Sequence, residues 1–429
     1  MLASCQFHPD LSVDFTDLQN AHGTKFNVLR VQETDLTNSL PYNCFLPDGT
    51  PISEYSEAAE PAHSPDGPRR TSSVTGTAIM QEILKYSNQN TAIEIVGTYP
   101  SFDGDWNDIT LSGKVILPKN GRPKRLILVS HYTVGSNAEA PSNCFSLEGI
   151  LVKQGYGLII PDYLGYGVTV DQIHPYLVMM ETAFHVTDMY FAVKEWLKAV
   201  DRAPLHDDIY LLGYSQGGAT TMAVEYLIES AYNDPADSLY IPIHRVFAGG
   251  GPYDVKATYE RFVNTDTAGY PVAVPLVLQG MIKGNNLNIE LSDMMQGWLC
   301  DKMDEWVNSK KYTTAQINRL INTRVSHEIL TEEAMNQTSE KVAELYKAMT
   351  ENSVVSYNWQ PKASVYIMHS MDDETVPYTN ATSAKDRWRN ANITYNFGHY
   401  GSHVATCVRF LFAVQSLLDQ EEKERSIYE

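Results

Sequence analysis

At 429 residues, with 43% hydrophobic and 20% charged residues, the chain has the composition of a folded globular protein and the length for a catalytic domain with a sizeable insertion. No run of about 18 apolar residues is present, so no stretch of the sequence reads as a membrane-spanning helix. The formal net charge of −20 repels polyanions and sets nucleic acid aside as a partner, while uncharged substrates are unaffected.

At the start of the chain, Leu2-Ala3-Ser4-Cys5 resembles the lipobox of bacterial lipoproteins, whose cysteine becomes the lipidated first residue once a signal peptide is removed. The expectation from it is an extracytoplasmic protein, secreted or lipid-anchored, that touches a membrane only through Cys5. In an oxidising compartment the other four cysteines, Cys44, Cys144, Cys300 and Cys407, are enough for two disulfides. None of the five stands in a CxxC or beside paired histidines, so a zinc site has no support. Residues 1–70 read as an irregular N-terminal extension, with Pro47-Asp48-Gly49 and the Ser-, Glu- and Pro-rich run 53–68 as turn and loop. A helix is expected over 71–86, then β runs at 92–98 and 109–117 on either side of a turn at Asp103-Gly104-Asp105.

A regular alternation follows. Apolar runs at 125–130, 157–161, 209–213, 245–248, 364–368 and 393–397 are interleaved with helical patterns at 146–154, 181–200, 217–230 and 404–418. That is how a mostly parallel sheet covered by helices on both faces reads, an α/β architecture. Residues 253–362 interrupt the rhythm with amphipathic helical patterns and no strand: 291–307, a short helix opened by the capping pair Thr313 and Gln316, and 340–350. They are read as a helical cap inserted over the sheet's carboxyl edge, the catalytic domain being 71–252 and 363–429. Met294, Met295, Trp298 and Trp306 lie in this segment, either as its own small core or as a surface offered to an acyl chain.

Gly213-Tyr214-Ser215-Gln216-Gly217 sits between the apolar run 209–212 and a helical pattern. A nucleophile elbow has this form: serine on a strained strand-to-helix turn, with glycines on both flanks where a Cβ would clash. A serine hydroxyl needs a base, and the base needs an orienting carboxylate. In the chain order Ser, acid, His, the acid falls in the loop after 364–368. Asp373, three residues before Val376-Pro377, is the candidate there and Asp372 the near alternative. Two histidines compete for the base, His399 and His403; His403, immediately before the last helix, is preferred. The oxyanion hole requires backbone N–H groups. These are assigned to Gln216, directly after the serine, and to Thr133 in the loop His131-Tyr132-Thr133-Val134-Gly135, where Tyr132 stands in place of a usual glycine.

These residues, with Ile160-Pro161-Asp162-Tyr163-Leu164-Gly165-Tyr166-Gly167, resemble the secretory lipase family of α/β-hydrolases, the lipase A-like group with a helical cap, over roughly residues 90 to 420. The resemblance implies the α/β-hydrolase fold, a carboxylic or lipid ester substrate, no cofactor, and a structural rather than catalytic Asp162. Rival readings keep the same fold. A carbohydrate acyl esterase is not separated from a lipase by sequence. A serine peptidase of the prolyl-oligopeptidase type lacks its propeller repeats here, and a non-catalytic binding module would show a degraded triad. Dinucleotide binding is set aside because Gly165-Tyr166-Gly167 has Val170 where a third glycine belongs.

Overall fold

The computed structural model describes residues 18, 23–37, 40, 41, 43–54 and 89–428. The lipobox-like Cys5 and the helix expected over 71–86 lie outside the described residues.

Nine strands form one sheet in the order β1-β2-β3-β5-β4-β6-β7-β8-β9. β1 (Asn27–Asp35), β2 (Thr91–Phe102) and β3 (Asp108–Pro118) are antiparallel, and β3 pairs antiparallel with β5 (Gly157–Pro161). From β5 onward, through β4 (Leu126–Ser130), β6 (Ile209–Tyr214), β7 (Ile243–Gly249), β8 (Ser364–Ser370) and β9 (Ile393–Gly398), every pairing is parallel. β4, β5 and β6 are buried throughout, which is why they read as unbroken apolar runs rather than as alternation. Along β4 the faces nevertheless alternate. Leu126 and Leu128 join the core beneath the helices Met179–Ala199 and Gln216–Ala231, whereas Ile127 and Val129 join the opposite core under the C-terminal helix His403–Tyr428. β4 has β5 on one side and β6 on the other, so the connections diverge at its carboxyl end. This is a topological switch point, the place where open α/β sheets hold ligands.

Three expectations are corrected. Residues 1–70 were expected to be irregular, but β1 lies within them, pairing with β2 from Asn27↔Thr98 to Asp35↔Thr91. Most of its side chains are exposed, so it is an edge strand without the apolar alternation that marks a strand in sequence. The single amphipathic pattern at 291–307 is broken into Leu291–Met294, Gly297–Cys300 and Met303–Asn308. Met295 is extended and bridges Leu330, and the Gln296 amide donates to Ile329 O, so this backbone pairs across the chain instead of continuing the helix. The four described cysteines, Cys44, Cys144, Cys300 and Cys407, are free thiols, and neither of the two disulfides is formed.

Between β7 and β8, all the regular elements among the described residues are helices, the longest being Val255–Asn264, Ala273–Gly284 and Glu340–Glu351. Thr313 and Gln316 cap the helix Thr314–Ile321 reciprocally: Thr313 Oγ1 accepts from Gln316 N (3.3 Å) and Gln316 Oε1 from Thr313 N (2.9 Å). No helix among the described residues is long and apolar enough to cross a membrane.

Candidate active site

Ser215 directly follows β6 and precedes the helix Gln216–Ala231 with φ 58° and ψ −129°, a conformation a non-glycine residue adopts only where its surroundings enforce it. The enforcement comes from close packing of backbone on backbone. A Cβ at Gly213 would lie 2.2 Å from Gly217 O, and one at Gly217 would lie 1.9 Å from Ser130 O. The turn is therefore pressed directly onto the end of β4, and the serine side chain is lifted over the sheet's carboxyl edge.

There Ser215 Oγ lies 2.8 Å from His403 Nε2, and His403 Nδ1 lies 2.6 Å from Asp373 Oδ2. With a carboxylate as its partner, Nδ1 carries the proton, which leaves Nε2 as a lone-pair acceptor for the serine O–H. The other Asp373 oxygen accepts from the backbone amides of Thr375 (3.0 Å) and Val376 (2.8 Å). Burial pushes the Asp373 pKa upward, but the His403 charge and hydrogen bond, aided by His369 and the Val376 amide, outweigh it and hold the carboxyl below its ordinary value. Tyr214, within the elbow, donates its hydroxyl to His403 O (2.7 Å) and so braces the histidine from below.

The alternative candidates form a different pair. Asp372 Oδ1 and His399 Nδ1 are 2.7 Å apart, with the side chains 43% and 71% exposed. His369, at the end of β8, is buried, holds Val376 O through Nε2 (3.0 Å) and stands 3.9 Å from Asp373 Oδ2. His131 donates Nδ1–H to Tyr132 O (2.6 Å) and stacks on Tyr163; burial lowers its pKa to about 4, so it is neutral at physiological pH.

Thr133 and Ser215 line one cavity that opens to solvent. Gln216 opens the helix that follows the serine, where the first amides have no partner in their own helix and face its positive end. Tyr132, in the position usual for glycine, is accommodated because its side chain turns under the N-terminal segment, with the hydroxyl donated to Phe45 O (2.5 Å). Asp162 accepts from Ser112 Oγ (2.6 Å) and from the Ser142 amide (2.7 Å), tying β3, the 142 loop and the end of β5 together.

Apart from Thr258 and Thr375, the rest of the cavity is apolar or aromatic: Tyr176 and Leu177 on one side, Val255, Tyr259 and Phe262 from one helix, and Ala273, Val274 and Val277 from the next. Of the residues singled out in the helical segment, Met294, Met295, Trp298 and Trp306 do not line it. Both methionines are buried in the core, and the two tryptophans pack against each other. Backbone holds the segment to the β4 loop. The Asn137 amide donates to Lys310 O (2.8 Å), and Gly135 lies so close that a Cβ there would be 2.8 Å from Tyr312 O. Among the described residues no cluster of three or more His, Cys, Asp or Glu side chains is arranged to hold a metal ion.

The family model for secretory lipases matches residues 142–411. A search of curated proteins returned no match. Solved structures match over most of the chain. A protein from Legionella pneumophila superposes with a TM-score of 0.70 at 20% identity, covering 80% of this chain and 94% of its own. The rice cell wall degrading esterase LipA from Xanthomonas oryzae gives 0.66 at 19% identity, covering 80% and 95%. Candida antarctica lipase A gives 0.55 at 18% identity, covering 73% of each chain. At these identities the likeness establishes the fold, an α/β-hydrolase.

Proposed function

Because this chain belongs to the secretory lipase family, a family of ester hydrolases, we propose that it cleaves carboxylic esters by two successive acyl transfers through Ser215. The observation that carries this reading is the continuous line Asp373–His403–Ser215, with 2.6 Å and 2.8 Å separations, at the mouth of an apolar cavity. In the first transfer His403 Nε2 takes the serine proton while Oγ attacks the ester carbonyl. Asp373 remains ionised, keeps the imidazole in the required tautomer and stabilises the imidazolium. The carbonyl oxygen becomes an oxyanion stabilised by the Gln216 and Thr133 amides. Collapse breaks the bond to the alcohol oxygen, which leaves with the proton from His403, and Ser215 carries the acyl group. In the second transfer water loses a proton to His403 and attacks the acyl carbon. The acid is released as the proton returns to Oγ.

The apolar wall built by Val255, Tyr259, Phe262, Val274 and Val277 suits the hydrocarbon part of an acyl group and offers no charge to a polar one. Residues 253–362 act as the cap that supplies this wall, and chain-length preference belongs to it. The family also points to secretion, and an anchor at Cys5 would hold the enzyme at a membrane surface. Pre-steady-state hydrolysis of p-nitrophenyl esters of graded chain length tests the reading. A burst of one nitrophenolate per chain, absent in Ser215→Ala, is expected. No turnover of any ester, or a Ser215→Ala variant as active as the parent, rejects it.

A further inference from the structure

The two backbone donors assigned to the oxyanion follow different strands, β6 and β4; the elbow is pressed onto Ser130 and His131 at the end of β4, and Thr133 comes two residues beyond that contact. A single buried side chain touches both sides. His174, in the loop between β5 and the helix Met179–Ala199, is 4% exposed. Its Nδ1 lies 2.8 Å from Leu164 O, so Nδ1 carries the proton, Nε2 is an acceptor, and the Gln216 side-chain amide donates to it at 2.9 Å. Gly165 packs so tightly on this histidine that a Cβ there would sit 2.7 Å from His174 N and 2.8 Å from its Cα.

Three tyrosines surround the imidazole, and each holds the β4 loop. Tyr163 is stacked parallel to His174 at 5.9 Å and donates its hydroxyl to His131 O (3.1 Å). Tyr166 meets the ring edge-on at 5.3 Å and donates to Val134 O (2.5 Å). Tyr176 meets it at 5.8 Å, with its hydroxyl 2.8 Å from Thr133 Oγ1. Lys310, from the helical segment, places its ammonium 4.9 Å over the Tyr166 ring, so the cap rests on the same cluster. Burial, reinforced by Lys310, pushes the His174 pKa well down and leaves the imidazole neutral.

We infer that His174 is a positioning residue for ester hydrolysis. Through Gln216 on one side and the tyrosines that grip residues 131, 133 and 134 on the other, it holds the two oxyanion amides at a fixed separation. The inference rests on the serine mechanism proposed above. A fixed separation matters only once a tetrahedral oxygen has formed, because a misplaced donor costs rate while leaving ground-state binding intact.

The test uses Gln216→Ala, which keeps the backbone amide and removes the side chain that reaches His174, together with His174→Ala, His174→Asn and the double variant Gln216→Ala/His174→Ala. In Gln216→Ala and His174→Ala, kcat should fall about tenfold to a hundredfold with KM within about twofold. Affinity for an alkyl boronic acid, which forms the tetrahedral adduct on Ser215, should fall in parallel. The double variant should lose no more than the worse single variant, and His174→Asn, which can still accept from Gln216, should recover part of the loss. Additive losses, a KM rise at unchanged kcat, or unchanged boronic acid affinity would overturn the inference. If His174→Ala does not fold, Gln216→Ala alone decides through its kcat and its boronic acid affinity. Failure of the mechanism itself registers separately, as boronic acid binding that survives Ser215→Ala.

Discussion

Two aspartate–histidine pairs stand at the carboxyl edge of the sheet, their aspartates adjacent in one loop and their histidines four residues apart where the last helix begins. Asp372 and His399 are 2.7 Å apart in solvent; Asp373 and His403 are 2.6 Å apart, with side-chain exposures of 0% and 6%. As isolated contacts they are almost the same. The difference lies in what the second ring nitrogen and the second carboxylate oxygen do. His403 offers Nε2 to Ser215, and Asp373 is pinned by two backbone amides. The outer pair is exposed to water, where such a contact contributes about 1 kcal/mol or less. Burial and contact with Ser215, rather than the pairing itself, separate the proposed catalytic couple from the surface pair.

That contrast can be broken at either pair. The largest effect is expected from Ser215→Ala or His403→Ala, each lowering kcat by about a thousandfold to a millionfold, measured on a p-nitrophenyl ester, with the double variant no worse than the singles. Asp373→Asn should cost about a thousandfold to ten-thousandfold in kcat with the fold retained: an amide can still accept from Thr375 and Val376 but no longer holds Nδ1–H on the required side of the ring.

A smaller effect concerns acid stability. Asp373 has its pKa depressed in the folded chain, so its contribution to stability is fully present above the ordinary carboxylate value of about 4 and is lost as pH falls through the depressed value. Acid titration of thermal unfolding should therefore be shallower below pH 4 in Asp373→Asn than in the parent. The smallest effects are expected from Asp372→Asn and His399→Ala, with kcat/KM within about twofold and Tm within a degree or two. A hundredfold loss in either would transfer the role to the outer pair.

The elbow was legible because everything that makes it is local: a buried strand, two glycines whose Cβ atoms have no room, and a helix, all within about twenty residues. Asp373 and His403 were legible through chain order, and the sequence ranked them above Asp372 and His399 by spacing to Val376-Pro377 and to the last helix. Burial and the contact with Ser215 belong to the fold and have no sequence signature. His174 lay beyond reach for the same reason, since its partners Leu164, Gln216 and three tyrosines are gathered by the sheet rather than by any pattern. Met294, Met295, Trp298 and Trp306 could be read either as the segment's own core or as a surface for an acyl chain; they pack within the protein, and Val255–Asn264 and Ala273–Gly284 line the cavity instead. Large side chains at helical spacing mark burial without saying what they are buried against. β1 was missed because an exposed edge strand need not alternate.

The central claim is that one serine, activated by the buried pair, carries the acyl group. Its most direct test is labelling with an alkyl fluorophosphonate, followed by mass spectrometry of the proteolysed chain. One adduct per molecule, on Ser215, is expected, lost in Ser215→Ala, much slowed in His403→Ala and undiminished in His399→Ala. An adduct on another residue, or labelling of Ser215→Ala at the parent rate, would contradict it.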